Sequence, residues 1–145
     1  RFWLDRGVDG FRIDVAHGMV KAPGLPDIET DLSAEMLAAR RLPFWDQEGV
    51  HEIYRKWRKI LDSYDGDRMA VAEAWVSPAS RIALYLRPDE LANSFNFDFL
   101  TSIWDLDDLR KNIIHFLLNL WNGIGNDLVW NTIFTDAGCI ILISG

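Results

Sequence analysis

Two carboxylates stand in apolar company. The phrase GFRIDVA, residues 10–16, carries Asp14 near its C-terminal end, and MAVAEAW, residues 69–75, carries Glu73 near its own. A charge inside such a run is costly unless it is paired or put to use. Neighbouring parallel strands lie about 4.8 Å apart, so two strand-end carboxylates could face each other across one pocket. Retaining cleavage of a glycosidic bond uses such a pair at about 5 to 5.5 Å, one attacking the sugar and the other passing a proton. Like charges at that separation, together with desolvation, keep one carboxyl protonated near neutral pH. Arg12 precedes Asp14 by two residues, so on a strand the two side chains share a face. There the guanidinium could hold Asp14 ionised and bond sugar hydroxyls. The same spacing suits a plain structural ion pair, and spacing alone leaves both readings open.

The elements that must position these residues follow from periodicity and punctuation. RFWLDRG reads as a short helix and turn, and GFRIDVA as the strand after it. Residues 17–46 hold Gly18, Pro23, Gly24, Pro26 and Pro43 and are too broken for one element, although SAEMLAAR, residues 33–40, could form a short helix. A loop this long tends to line a site. Val50, Ile53, Tyr54, Trp57, Ile60, Leu61 and Tyr64 then recur at helical spacing, with Glu52, Arg55, Lys56, Arg58 and Lys59 on the wet side. MAVAEAW reads as a strand buried on both faces. SPASRIALYLRP reads as a helix opened by Ser77 and closed before Pro88, and ANSFNFDFL as a third strand in which Phe95, Phe97 and Phe99 pack on one face and Asn96 and Asp98 lie on the other. A second long helix runs from an Asp105 cap, along Leu106, Leu109, Ile113, Phe116, Leu117 and Leu120, to a stop at Gly123. LVWNTIF and CIILI are further β-prone runs. Alternating strand and helix predict an α/β chain with a parallel sheet, in one architectural unit.

Composition narrows the partners. The 145 residues are 49% hydrophobic and 26% charged, a globular composition, and 22 acidic against 15 basic side chains leave a formal charge of −7. That disfavours nucleic acid and anionic membrane surfaces and fits a small neutral or cationic substrate. The single cysteine, Cys139, forms no internal disulfide and fits a cytoplasmic location. No zinc-ligand spacing is present, and the most apolar stretch, IIHFLLNLW, is far shorter than the ~20 residues that span a bilayer. The chain opens at Arg1 within a helical phrase, without initiator methionine or secretion signal, and is expected to be an excerpt of a longer protein.

The phrase GVDGFRIDVAHG resembles the nucleophile segment of the α-amylase family of glycoside hydrolases, family 13, and AVAEAW resembles that family's acid/base segment. LPFWDQEGVHEIYRKWRKIL and LRPDELANSFNFDFL resemble its α-glucosidase and oligo-1,6-glucosidase branch, extending the likeness over about residues 1–120. The resemblance implies an incomplete (β/α)8 TIM barrel, roughly strands four to six or seven with their helices, the two motifs ending strands four and five. It implies that Asp14 is the nucleophile, Glu73 the acid/base and Arg12 the sugar-binding arginine. Val15 matches a position facing the leaving-group sugar, where valine leans weakly toward α-1,6 linkages; an ordinary strand residue is the plainer reading. The implied activity is retaining hydrolysis of α-glucosidic bonds in short oligosaccharides, in carbohydrate metabolism, without an organic cofactor, and no residue of this chain is assigned to a metal. A glucosyl transferase or isomerase of the trehalose synthase or sucrose isomerase type shares both motifs. Non-catalytic readings are an accessory subunit of an amino-acid transporter, against which Arg12, Asp14 and Glu73 together speak, and a truncated product of a broken gene.

The family's asparagine-histidine-aspartate phrase should follow the second long helix, yet residues 125–145 lack it, and Asp136 does not stand in the motif. The tail, 123–145, diverges. The chain alone is therefore expected to be inactive and to need the missing barrel segments. The remaining candidates have structural readings. His17 lacks the lysine neighbour that amylases pair with it and reads as loop structure. Trp45 and Phe44 seal the long loop, with Asp46 capping the helix after it. His51 and His115 are surface or packing residues, and Asp105, Asp107 and Asp108 suit a helix start.

Overall fold

A computed structural model of the chain describes residues 1–28, 42–124, 132–134 and 140–142. A 3-10 turn, Leu4–Arg6, is closed by Gly7 in the left-handed region at φ 89°, and strand β1, Gly10–Ile13, follows. Helix α1, Gly49–Leu61, leads to β2, Met69–Ala72; helix α2, Ala79–Tyr85, leads to β3, Asn93–Ser94. The three strands form one parallel sheet in the order β1-β2-β3, with Gly10 opposite Met69, Ile13 opposite Ala72 and Val71 opposite Asn93. A parallel pair needs a crossover, and the two amphipathic helices supply it.

That register gives the sheet two unlike faces. Phe11, Ile13, Ala70 and Ala72 turn toward the helices and pack in a core with Val50, Tyr54, Leu61, Ile82 and Tyr85. Arg12, Val71 and Asn93 share the opposite face. The strand expected to be buried on both faces is therefore buried on one: Ala70 and Ala72 are buried, Met69 and Val71 only half so, because the second face carries no helical layer among the described residues.

The ANSFNFDFL segment departs most from expectation. Only Asn93–Ser94 is strand, and Phe97–Leu100 is a short helix, α3, whose first turn is capped by Asn96 Oδ1 accepting from the Phe99 N–H at 3.0 Å. Asn96 is fully buried in that role, on no solvent face. Helix α4, Leu106–Ile124, starts as expected, with Asp105 Oδ1 accepting from the amides of Asp107 and Asp108 at 3.0 and 3.1 Å, and it runs one residue past Gly123. Phe116 buries against the core, and His115 lies on the surface. In the tail, β4, Thr132–Phe134, and β5, Ile140–Leu142, pair antiparallel rather than extending a parallel sheet. SAEMLAAR and Asp136 lie outside the described residues. No helix among the described residues is long and apolar enough to cross a membrane.

One cluster ties α1 to the segment entering β3. Glu90 is fully buried, with Oε2 2.7 Å from His51 Nδ1 and Oε1 3.0 and 2.6 Å from the guanidinium nitrogens of Arg55 and Arg87. His51, itself 1% exposed, is thus a packing residue with an ionic partner. A buried carboxylate is tolerable only with such compensation.

Candidate functional site

Strands β1 and β2 end level with each other, and the residues just beyond carry the two carboxylates. The Glu73 N–H donates to the Ile13 carbonyl at 3.0 Å, and the Ala16 N–H donates to the Glu73 carbonyl at 2.9 Å. These bonds hold the two turns together past the last strand pairs. Asp14 and Glu73 keep the alternation begun at Arg12 and Val71, so all three charged side chains gather on the face away from the helices.

One guanidinium joins them. Arg12 Nε lies 2.8 Å from Asp14 Oδ1, and Arg12 Nη2 lies 2.6 Å from Glu73 Oε2. Asp14 is open to solvent, whereas Glu73 is largely covered. The hydrogen bond from Arg12 is the main cause that holds the Glu73 carboxyl below its usual value, against the opposing effect of burial and with help from the Trp75 indole. The same bond raises the Arg12 guanidinium. The expectation paired Arg12 with Asp14 alone; the structure has it shared.

Aromatic rings that the sequence did not assign to the site surround this trio. Trp75 Nε1 donates to Glu73 Oε1 at 3.4 Å, the Trp75 ring stacks on Phe97 at 3.7 Å, and the Arg12 guanidinium lies 5.2 Å from the centre of the Phe95 ring. Trp75 was legible as the end of a strand phrase, but nothing in its spacing told that its indole would turn back to Glu73.

Val15 is no strand residue. It sits just past β1 at φ 49° and ψ 43° with its side chain exposed, a left-handed conformation rare for a β-branched residue. Gly18 leaves room for the bend: a Cβ there would meet Val15 Cγ1 at 2.8 Å, and the valine side chain would have to shift. His17 is buried, with its ring edge-on to Trp45 at 5.1 Å. Asp46 does not cap α1, whose N-cap residue Glu48 makes no side-chain cap either. Instead Asp46, at φ 51°, pairs with Arg81 Nε at 2.7 Å and accepts from the Tyr85 hydroxyl at 2.7 Å, and Glu48 Oε1 takes a second nitrogen of Arg81 at 2.7 Å. Arg81 thereby fastens the segment before α1 to α2, and holds Glu48 below the usual glutamate range.

Residues 1–127 match the family model for the α-amylase catalytic domain. The oligo-1,6-glucosidase of Parageobacillus thermoglucosidasius is 33% identical, the match covering 94% of this chain and 25% of that protein. The α-glucosidase of Schizosaccharomyces pombe is 31% identical, covering 94% and 25%. Among solved structures, a trehalulose synthase mutant in complex with Tris superposes with a TM-score of 0.69 at 26% identity, covering 92% of this chain and 24% of that one. The trehalose-6-phosphate hydrolase of Bacillus licheniformis gives a TM-score of 0.68 at 25% identity, covering 86% and 23%. These neighbours are TIM-barrel enzymes, so the parallel sheet and its crossover helices are part of such a barrel. The chain spans about a quarter of the length of the curated relatives it matches.

Proposed function

The chain belongs to the α-amylase catalytic-domain family, and from that premise we propose that within a complete (β/α)8 barrel it serves retaining hydrolysis of α-glucosidic bonds in short oligosaccharides. The observation that carries this reading is the single guanidinium of Arg12 holding Asp14 and Glu73 at the C-terminal ends of adjacent parallel strands, the end at which such barrels work.

In the first half-reaction an Asp14 carboxylate oxygen attacks the anomeric carbon, the bond to the leaving oxygen breaks, and Glu73 gives that oxygen its proton. In the second, water attacks the same carbon, its proton returns to Glu73, and the bond to Asp14 breaks. Two inversions restore the α configuration. Glu73 must start neutral, yet Arg12 favours its ionised form. A sugar ring that enters between them, displacing the Arg12 contact and excluding water, moves the carboxyl toward the neutral state. Arg12 then remains on Asp14 and on the sugar hydroxyls. Val15, exposed just past Asp14, matches the family position toward the leaving-group sugar, where valine leans weakly toward α-1,6 bonds, in keeping with the oligo-1,6-glucosidases among the relatives. The single Cys139 supports a cytoplasmic setting.

The test uses protein expressed from the complete reading frame that encodes these residues, supplied with maltose and isomaltose. Hydrolysis should release glucose first as the α anomer. Asp14→Asn and Glu73→Gln should each lower kcat by about 10²- to 10⁴-fold with the fold intact; near-normal turnover by either ends the assignment. The trehalulose synthase likeness favours a second reading, transfer or isomerisation, and a rearranged disaccharide in place of free glucose would select it.

A further inference from the structure

His17 is three residues past Asp14, yet it is 2% exposed and points inward. The left-handed turn at Val15 reverses the chain, and the imidazole arrives beside the segment after β2, where its Nδ1 lies 3.3 Å from the Trp75 N–H. A backbone N–H can only donate, so Nδ1 must offer its lone pair, which puts the ring proton on Nε2. Both ends of this link are anchored. The His17 carbonyl accepts from the Asp46 N–H at 2.7 Å, and Asp46 is itself held by Arg81 and Tyr85. On the other side, the Trp75 ring stacks on Phe97 and its indole N–H reaches Glu73 Oε1.

We propose that His17 is a positioning residue: its Nδ1 lone pair fixes the Trp75 amide, and through it the indole that orients the Glu73 carboxyl against Asp14. This rests on the functional reading above and adds to it the part that sets the distance between the two carboxylates. The backbone bond from Ala16 to Glu73 joins the two turns at the level of the carboxylates. The His17 link joins them one layer farther out, so that the turn carrying Trp75 cannot swing and take the indole away. A displacement of about 1 Å in such a support can cost on the order of 10²-fold in rate.

The experiment compares wild-type, H17F and H17N protein from the complete reading frame on an α-glucoside substrate. Phenylalanine fills the site without an acceptor; asparagine places an amide oxygen near the position of Nδ1. H17F should lower kcat about tenfold or more while KM stays within about twofold, and H17N should recover to within about threefold of wild type. The imidazole nitrogen-15 spectrum of wild-type protein should show an unprotonated Nδ1 at neutral pH, a readout that does not depend on any variant folding. Folded H17F within twofold of wild type, H17N as impaired as H17F, or a protonated Nδ1 each overturns the role of His17 and leaves the functional reading standing. Wild-type protein inert on every α-glucoside overturns the functional reading and this proposal with it.

Discussion

At the scale of single residues, Arg12 favours the charged form of Glu73. Its bond to Glu73 Oε2 at 2.6 Å favours the carboxylate, so the Glu73 contribution to stability is full above the usual value of 4.5 and is lost as pH falls through the lowered folded value. Replacing Arg12 by methionine keeps the length of the side chain and removes the charge. Burial of Glu73 is then opposed only by the weaker hydrogen bonds with the Trp75 indole and Asp14, and its titration, followed by carbon-13 NMR of the side-chain carboxyl, should move upward from the wild-type position. A midpoint unchanged or lower in Arg12→Met would mean that another group, and not Arg12, sets the charge of Glu73. Arg12, Asp14 and Glu73 were legible in the sequence because strand alternation states which side chains share a face and the register merely aligns them. Trp75, Phe95 and His17 were not, since they sit on turns beyond the strand ends, where no period tells which loop meets which.

At the scale of elements, the level of the two carboxylates depends on the register of β1 against β2, and that register begins at Gly10. A Cβ on Gly10 would stand 2.4 Å from the Met69 carbonyl oxygen, its Cα partner in the parallel pair. The oxygen belongs to backbone and the Cβ is fixed rigidly to its own, so neither can rotate away. Gly10→Ala should therefore destabilise the complete protein by about 1–3 kcal/mol, the range for overpacked interiors, in urea unfolding, and should lower turnover by displacing Asp14 from Glu73. An alanine variant with an unchanged midpoint would show that β1 can slide without penalty. Helix α1 was plain in the sequence because its apolar residues recur over more than three turns. Phe95, Phe97 and Phe99 misled because an alternation of three aromatics suits a strand and is also compatible with one helical turn. Asn96 resolves it, as the cap that starts α3, and a capping residue within an alternating run outweighs the alternation. Asp46 misled in the opposite sense: it stands where a cap would, but Arg81 and Tyr85, distant in sequence, claim both its oxygens.

At the scale of the whole molecule, the described residues carry surfaces that suit a larger body. Among them β1 pairs only with β2, so its far edge presents unpaired backbone groups. Beside that edge a cavity of about 250 Å³ opens between Leu4, Phe11, Ile13, Trp57 and Ile60. Phe2, Trp3, Ile103, Trp104 and Leu106 are all more than half exposed, large apolar side chains that neighbouring segments of a larger body would cover. A closed barrel removes its sheet edges and covers the outer faces of its strands with neighbouring helices, and this chain spans about a quarter of its barrel relatives. The 145-residue chain alone should therefore self-associate at micromolar concentration, bind a hydrophobic dye and lose structure over a broad thermal range, whereas the complete protein should melt cooperatively. Size-exclusion chromatography with light scattering, followed by calorimetry, checks this directly. A dye-silent monomer with one sharp transition would mean that the sheet and its helices close on themselves without the rest of the barrel, and that the exposed rings are ordinary surface.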